Sequence, residues 1–410
     1  MTSTDDITTG DITTDDITTD GIATHDITTD DLTTHDVDFH EVGTDQERAG
    51  DGDLDRAIGT FAERIVMAAI GSLELATVEL GMRLGLYGAL AEEPATPPQL
   101  AGCADIDSRY AREWLEQQAT AGIVTIDSEP IDADPDGRVY SLPLAQQACL
   151  LDPDSLAHVA PLATFAAAGP GILPELVTAY RKGTGISFGE YGEWIRRAQA
   201  AANRPQFTNL LVGDWLAAMP DVVARLEAAP ARIADLGCGC GWSSIALARG
   251  FESVVVDGYD TDTASVVEAR TNADAAGVAE RVSFHEDDAG TAAGHYDLVC
   301  CFEALHDMAH PVQALSAMRQ LAGRDGTVFV VDERAADALT ADDPDPTQRF
   351  FYAASVLHCL PVGRSEEQSA ATGTVMRTAI LERYAAEAGY RAVEVLPVDH
   401  DMFRFYRLHV

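Results

Sequence analysis

The stretch "ADLGCGCGWSSIAL", residues 234–247, constrains the fold more than any other part of the chain. An apolar run passes straight into glycines alternating with cysteines, and then into a helical pattern. A strand, a glycine loop and a helix in that order form the first half of a βαβ unit. The rest of the C-terminal half keeps the same rhythm. Strands are expected at 232–235, 253–259, 281–285, 296–302 and 326–332, with helices between them. A closing pair is expected at 390–397 and 402–408. Right-handed crossovers then give a largely parallel α/β sheet with an antiparallel edge. In such a sheet ligands bind beyond the carboxyl ends of the strands at the switch point, where this loop falls.

The N-terminal half follows other rules. Residues 1–36 are a degenerate repeat of the type "DITTD", with one aliphatic residue in five. That is too little apolar surface to offset chain entropy, so residues 1–53 are expected to be a disordered tail. From Leu54 the apolar spacing turns helical until Pro94. Two shorter helices follow ("TPPQLAGCA" and "DSRYAREWLEQQATAG"), then two alternating segments, "GIVTID" and "GRVYSL". Three helices and a two-stranded wing over residues 54–150 make a winged-helix pattern. Its presumptive recognition helix carries Glu113 and Glu116 beside Arg109 and Arg112, whereas a DNA-reading helix needs net positive charge. A scaffold or dimerisation element is expected instead. Residues 151–228 read as a helical linker with substrate-side helices, and 229–410 as the α/β domain.

Composition narrows the partners. The chain has 27 basic and 67 acidic residues and a formal net charge of −40. Its only lysine is Lys182. This resembles the make-up of proteins from salt-adapted organisms, and it disfavours nucleic acid and anionic membranes as partners. Seven irregularly spaced cysteines give no disulfide framework. The N-terminus has neither the basic region nor the apolar core of a secretory leader, and the apolar stretch 156–180 is broken by prolines. A reduced, cytoplasmic protein is expected.

The glycine spacing decides the cofactor class. A dinucleotide loop reads G-x-G-x-x-G. Counted from Gly237, the sixth position here is Trp242, and the loop is G-x-G-x-G headed by Asp235. That spacing resembles motif I of class I S-adenosylmethionine-dependent methyltransferases. The resemblance continues through "VVVDGYD", "FHEDDAG", "YDLVCCFEALHDM" and "GTVFVVDE". With the N-terminal domain, "EYGEWIRRAQAAANRPQF", "SVLHCLP" and "TGTVMR", it extends to a bacterial and archaeal group of winged-helix methyltransferases. The resemblance implies a Rossmann-like seven-stranded methyltransferase sheet and a homodimer formed through the N-terminal helices. S-adenosylmethionine is the implied cofactor. It would lie on Asp235, Gly237, Gly239 and Gly241, with its ribose on Asp260, its adenine near Asp288 and Ala289, and Phe302 beneath it, next to Glu303. The implied reaction is methylation, most plausibly at oxygen, of a small-molecule acceptor. Two other functions fit the same layout: a regulator that senses the cofactor, and a non-catalytic binder.

A hydroxyl acceptor must lose a proton, so histidine is the first base to seek. His306 follows the fourth strand of the domain and is expected to face the methyl group, unless Asp307 or backbone simply satisfies it. His358 falls in the acceptor-side cap, where it either serves the reaction or packs. Glu333, past the fifth strand, assists or bounds the pocket. Arg204 is a candidate for the cofactor carboxylate, although an arginine before a helix is usually structural. Cys238, Cys240, Cys300 and Cys301 do not have the spacing of a zinc site, and no metal is expected. They read as small buried residues, with a thiol-assisted reaction as the lesser alternative.

Overall fold

A computed structural model describes residues 45–128, 134–288, 293–339, 341 and 345–410. The Asp/Thr repeat and Ala289 lie outside the described residues. Two compact units result, Met1–Glu63 and Arg64–Val410.

The chain enters the second unit through a long helix, α1 (Asp45–Arg83). It starts before the change of pattern at Leu54, so the last residues of the expected tail are helical. The helix breaks at Gly85, whose φ of 68° suits glycine and ends the run before α2 (Leu86–Glu92). Helix α3 (Pro97–Ala104) opens on a Thr96–Gln99 capping box, and α4 (Ser108–Thr120) on Asp107, whose carboxylate accepts the Arg109 and Tyr110 amides. Strands β1 (Thr125–Ser128) and β2 (Val139–Ser141) form the antiparallel wing. Trp114 of α4 stacks edge-on to Tyr87 at 5.1 Å and donates its indole N–H to the Thr77 carbonyl, which locks α4 to α1. The α4 arginines have acidic neighbours. Arg109 pairs with Glu113, and Arg112 with Asp136 at 3.2 Å.

Next come α5 (Leu144–Leu150), α6 (Ala160–Ala168), α7 (Leu173–Lys182), α8 (Gly192–Asn209) and α9 (Pro220–Ala228). The sheet follows: β3 (Ala231–Leu236), β4 (Val254–Asp260), β5 (Val282–Glu286), β6 (Leu298–Phe302), β7 (Thr327–Glu333), β8 (Ala392–Val395) and β9 (Phe403–His409). Helices α10 (Trp242–Gly250), α11 (Thr263–Ala276) and α12 (Pro311–Ala322) cross between the parallel strands. Helices α13 (Pro346–Ala354), α14 (Leu360–Gly363) and α15 (Thr378–Glu387) separate β7 from β8.

The seven strands run β5-β4-β3-β6-β7-β9-β8, parallel except for β9, which is antiparallel to both its neighbours. The central strands β6 and β7 are buried almost throughout, as expected for a parallel sheet covered on both faces. One core layer joins Ile233, Val256, Phe329 and Phe405 to Trp215, and the other joins Val299, Val330 and Tyr406 to Leu315 and Leu381. The order reverses between β3 and β6. This is the switch point, and β3 delivers the glycine loop to it.

Candidate active site

The loop is built from its backbone outward. The Gly237 and Cys238 amides both bond the Tyr259 carbonyl, at 2.8 and 3.1 Å, tying the loop to the end of β4. Gly237 has φ 73°, and a Cβ there would lie 2.5 Å from the Ala304 Cβ after β6. Only glycine lets the loops after β3 and β6 approach this closely. Asp235 is fully buried, and its Oδ2 accepts from the hydroxyls of Ser243 and Ser244, at 2.6 Å each. It therefore braces the strand end against the first turn of α10. Burial raises its carboxyl to about 6.

Asp260 closes β4. Its Oδ2 accepts the Gly239 amide at 2.8 Å and its Oδ1 the Asp262 amide at 2.9 Å. Burial nevertheless raises its pKa. One carboxylate thus shapes the glycine loop and faces the same space as Gly239.

That space is a cavity of about 520 Å³ at the carboxyl ends of β3, β4 and β6. It falls in the size range of small-molecule sites. Of the residues expected at the cofactor, Gly237, Gly239, Asp260, Asp288 and Phe302 line it. Asp235 and Gly241 sit behind the lining. Gly241 begins α10, where a Cβ would meet Phe284 at 2.5 Å.

The sequence reading missed one wall of the cavity, where helix α8 contributes Arg196, Gln199 and Asn203; Glu303, expected beside Phe302, lines it at the β6 end. Arg196 Nε, Gln199 Oε1 and Glu303 Oε1 are all buried without a hydrogen-bond partner. Buried polar atoms are normally paired, so three orphans on one cavity mark a place where a polar ligand completes the set. An adenosyl group linked to an amino acid suits this lining, with carboxylates at the β4 and β5 ends and mixed polar groups toward β6 and α8. The residues present fit S-adenosylmethionine. Their helical spacing in "RRAQAAAN" was the signal available in the sequence.

His306, His358 and Glu333 are candidates for the reacting centre with packing or pocket-bounding roles as their alternatives, and none of them is among the residues lining the cavity. His306 is buried, with Nδ1 2.8 Å from Asp332 Oδ1 and 2.9 Å from Glu333 Oε2, and Nε2 3.2 Å from Asp307 Oδ1. Burial alone would lower its pKa, but Glu333, Asp332 and Asp307 together raise it well above the usual histidine value. The three carboxylates favour the charged form of this imidazole. Ligand-type atoms of His306, Asp332 and Glu333 lie within 4.8 Å of one another. His358 packs edge-on to Tyr191 and Phe188, at 4.5 and 5.8 Å. Arg204 is likewise elsewhere. It pairs with Asp154 at 2.7 Å and stacks over Trp242. Cys238, Cys240, Cys300 and Cys301 are buried thiols whose pKa burial raises, Cys240 to about 12.

The cluster sets a pH dependence. Burial raises Glu303 to about 8 and raises Glu333 strongly, while His306 is raised by its carboxylates. Each binds its proton more tightly folded than unfolded. The stability they confer is complete below the ordinary carboxyl and imidazole values and is lost as pH rises through the folded ones. Melting temperature is therefore expected to fall from about pH 6 to about pH 9, and Glu303→Gln should flatten part of that slope. A melting temperature that rises over this range would contradict the assignment.

Known proteins agree with this architecture. Residues 229–374 match the family model described as "Methyltransferase domain", and 71–151 match that of the "Rv2258c-like winged HTH domain". The ubiquinone biosynthesis O-methyltransferase of Xanthomonas axonopodis pv. citri (strain 306) is 33% identical over 109 residues, 27% of this chain and 46% of the relative. The protein of the same name from Aromatoleum aromaticum is 27% identical over 176 residues, 42% of this chain and 68% of the relative. The chain thus spans about half the length of the first of these relatives. Among solved structures, the mitomycin 7-O-methyltransferase MmcR superposes with a TM-score of 0.61 at 18% identity, covering 87% of this chain and 99% of that one. Human N-acetylserotonin methyltransferase in complex with SAM gives 0.58 at 16% identity, covering 85% and 97%. The chain carries a methyltransferase domain behind a winged-helix domain and has the fold of these enzymes.

Proposed function

We propose that the cavity binds S-adenosylmethionine and that the chain transfers its methyl group to an oxygen of a small-molecule acceptor. The observation that carries this is the continuous lining from Asp288 through Asp260 and the glycine loop to Glu303 at the switch point. When bound, the cofactor supplies a methyl group activated by a sulfonium, open to in-line displacement by a lone pair. The residues of this chain bind, align and exclude water. Phe302, Trp242 and Met308 give the cavity apolar walls. Asp307 also lines it, and against its burial the neighbouring His306 lowers its pKa. It is the carboxylate placed to accept a hydrogen bond from an acceptor hydroxyl. The relatives named as O-methyltransferases support oxygen as the acceptor atom. Incubation of the protein and labelled cofactor with a metabolite extract should yield a labelled small molecule. Tight cofactor binding with no labelled product from any extract would favour the non-catalytic reading.

A homodimer is the second part of the proposal. Along α1, Ile65, Met67, Ile70, Leu73 and Leu80 are exposed, Leu73 by 70%. An apolar row of this kind normally lies against a partner. Light scattering should give twice the chain mass, and Leu73→Asp should halve it. By length and composition the helix over Gly52–Arg83 is also long and apolar enough to cross a membrane. A monomer that floats with lipid vesicles would replace the dimer with that reading. The ion pairs on α4 support a scaffold over a DNA reader. A mobility shift with duplex DNA in concentrated potassium salt would reverse this.

A further inference from the structure

Glu303 is an unusual residue to find at the end of a buried strand. Its φ is 51°, in the left-handed region that non-glycine residues seldom occupy. The backbone is held there because the Glu303 amide donates to the Val331 carbonyl at 2.8 Å, extending the β6–β7 ladder past its end. Strain of this kind persists where the surroundings fix it, and it clusters at functional sites. Here it directs a carboxyl to the cavity wall at the switch point, opposite α8. The side chain is bonded to Asn203, and Oε1 has no partner.

His306 and Asp332 act on Glu303 with opposite signs, and burial outweighs both. Asp307, Glu333, Arg196 and Asp260 are among the other charged groups of the cavity and its cluster. From its own segment come His306 and Asp307, and from β7 come Asp332 and Glu333. The one cation among these four is already shared by the other three. From α8 comes Arg196, whose Nη1 lies 3.7 Å from Asp262. From β4 comes Asp260. Among the described residues no lysine or arginine forms an ion pair with Glu303. Burial raises the carboxyl to about 8, which favours its neutral form while no cation faces the partnerless Oε1.

We propose that Glu303 receives the ammonium group of the cofactor's methionine half and releases its own proton to solvent as the ligand binds. This rests on the cofactor reading above. The carboxyl O–H bond breaks, its proton passes to buffer, and the carboxylate accepts an N–H of the ammonium, which stays charged. A buried ion pair replaces a buried neutral acid. The binding site is thus uncharged at this point until it is filled, and binding is tied to pH.

The test is calorimetric titration of the full chain at about pH 7 in two buffers of different ionisation enthalpy. The ligands are S-adenosylhomocysteine and 5′-methylthioadenosine, which lacks the amino-acid half. Wild-type protein should release close to one proton with the first ligand and none with the second. In Glu303→Gln the release should vanish and affinity for S-adenosylhomocysteine should fall about tenfold to a hundredfold, with 5′-methylthioadenosine unchanged. Binding of S-adenosylhomocysteine without proton release overturns the proposal and leaves the cofactor reading intact. So does an equal loss for both ligands in the variant. If wild-type protein binds neither ligand, the cofactor reading falls and takes the proposal with it. The wild-type proton count decides the matter even if the variant fails to fold.

Discussion

Asp260→Ala is expected to weaken S-adenosylhomocysteine binding by about a hundredfold or more, and to abolish the rise in melting temperature that the ligand gives wild-type protein. Two losses combine. The carboxylate faces the cavity where the ribose hydroxyls are expected, and charge-assisted hydrogen bonds to it are among the stronger polar contacts. The same carboxylate accepts the Gly239 and Asp262 amides. Alanine leaves both donors without their acceptor, at about 1–3 kcal/mol for each that stays buried. The glycine loop then loses the bond that shapes it, so contacts made by Gly237 and Gly239 suffer along with the ribose contact. Unchanged affinity in the alanine variant would mean that the ligand, if bound, does not use this end of β4.

The second large effect separates the two roles of the glycines. Gly237→Val should destabilise the fold by about 2–5 kcal/mol, combining left-handed strain with overpacking. The first added carbon already lies 2.5 Å from the Ala304 Cβ. Denaturant unfolding should show a lower midpoint, and ligand binding should be lost along with loop geometry. Gly239→Ala should behave differently. Its φ is 51°, but a Cβ there meets nothing within 4 Å. Strain then costs only about 1–2 kcal/mol, and the added methyl projects where a ligand would lie. The expected result is a modest shift in unfolding midpoint with a severe loss of affinity. Should Gly237→Val unfold at the wild-type midpoint, the close approach of the loops after β3 and β6 would be wrong.

Features that depend on short-range pattern were legible in the sequence. The strands and the glycine loop follow from local alternation and turn residues, while the seven-stranded sheet and the role of Asp260 come from the resemblance to class I methyltransferases. The side chains that define the reacting end depend on residues far away along the chain. His306 read as a candidate base because it follows the fourth strand of the domain, where the loop is expected to face the methyl group. Its state is set by Asp332 and Glu333, which β7 brings alongside in parallel register with β6. Arg204 could be read as a cofactor ligand or as a structural arginine, and it is Asp154 in a distant loop that holds it. Helix α8 was visible as a helix, yet which of its faces meets the cavity depends on its packing against α10 and α6. Glu303 was visible only as an acidic residue beside Phe302. The backbone conformation that aims it at the cavity comes from a bond to β7, and no local pattern announces it.

The central claim is that the cavity at the ends of β3, β4 and β6 is an S-adenosylmethionine site. A crystal structure of the full chain with S-adenosylhomocysteine tests it most directly. The account predicts the ribose hydroxyls on Asp260, the adenine beside Asp288, and the homocysteine half over Gly237 and Gly239 with its ammonium at Glu303. Density for the ligand anywhere else, or a different molecule filling this cavity in its presence, would contradict it.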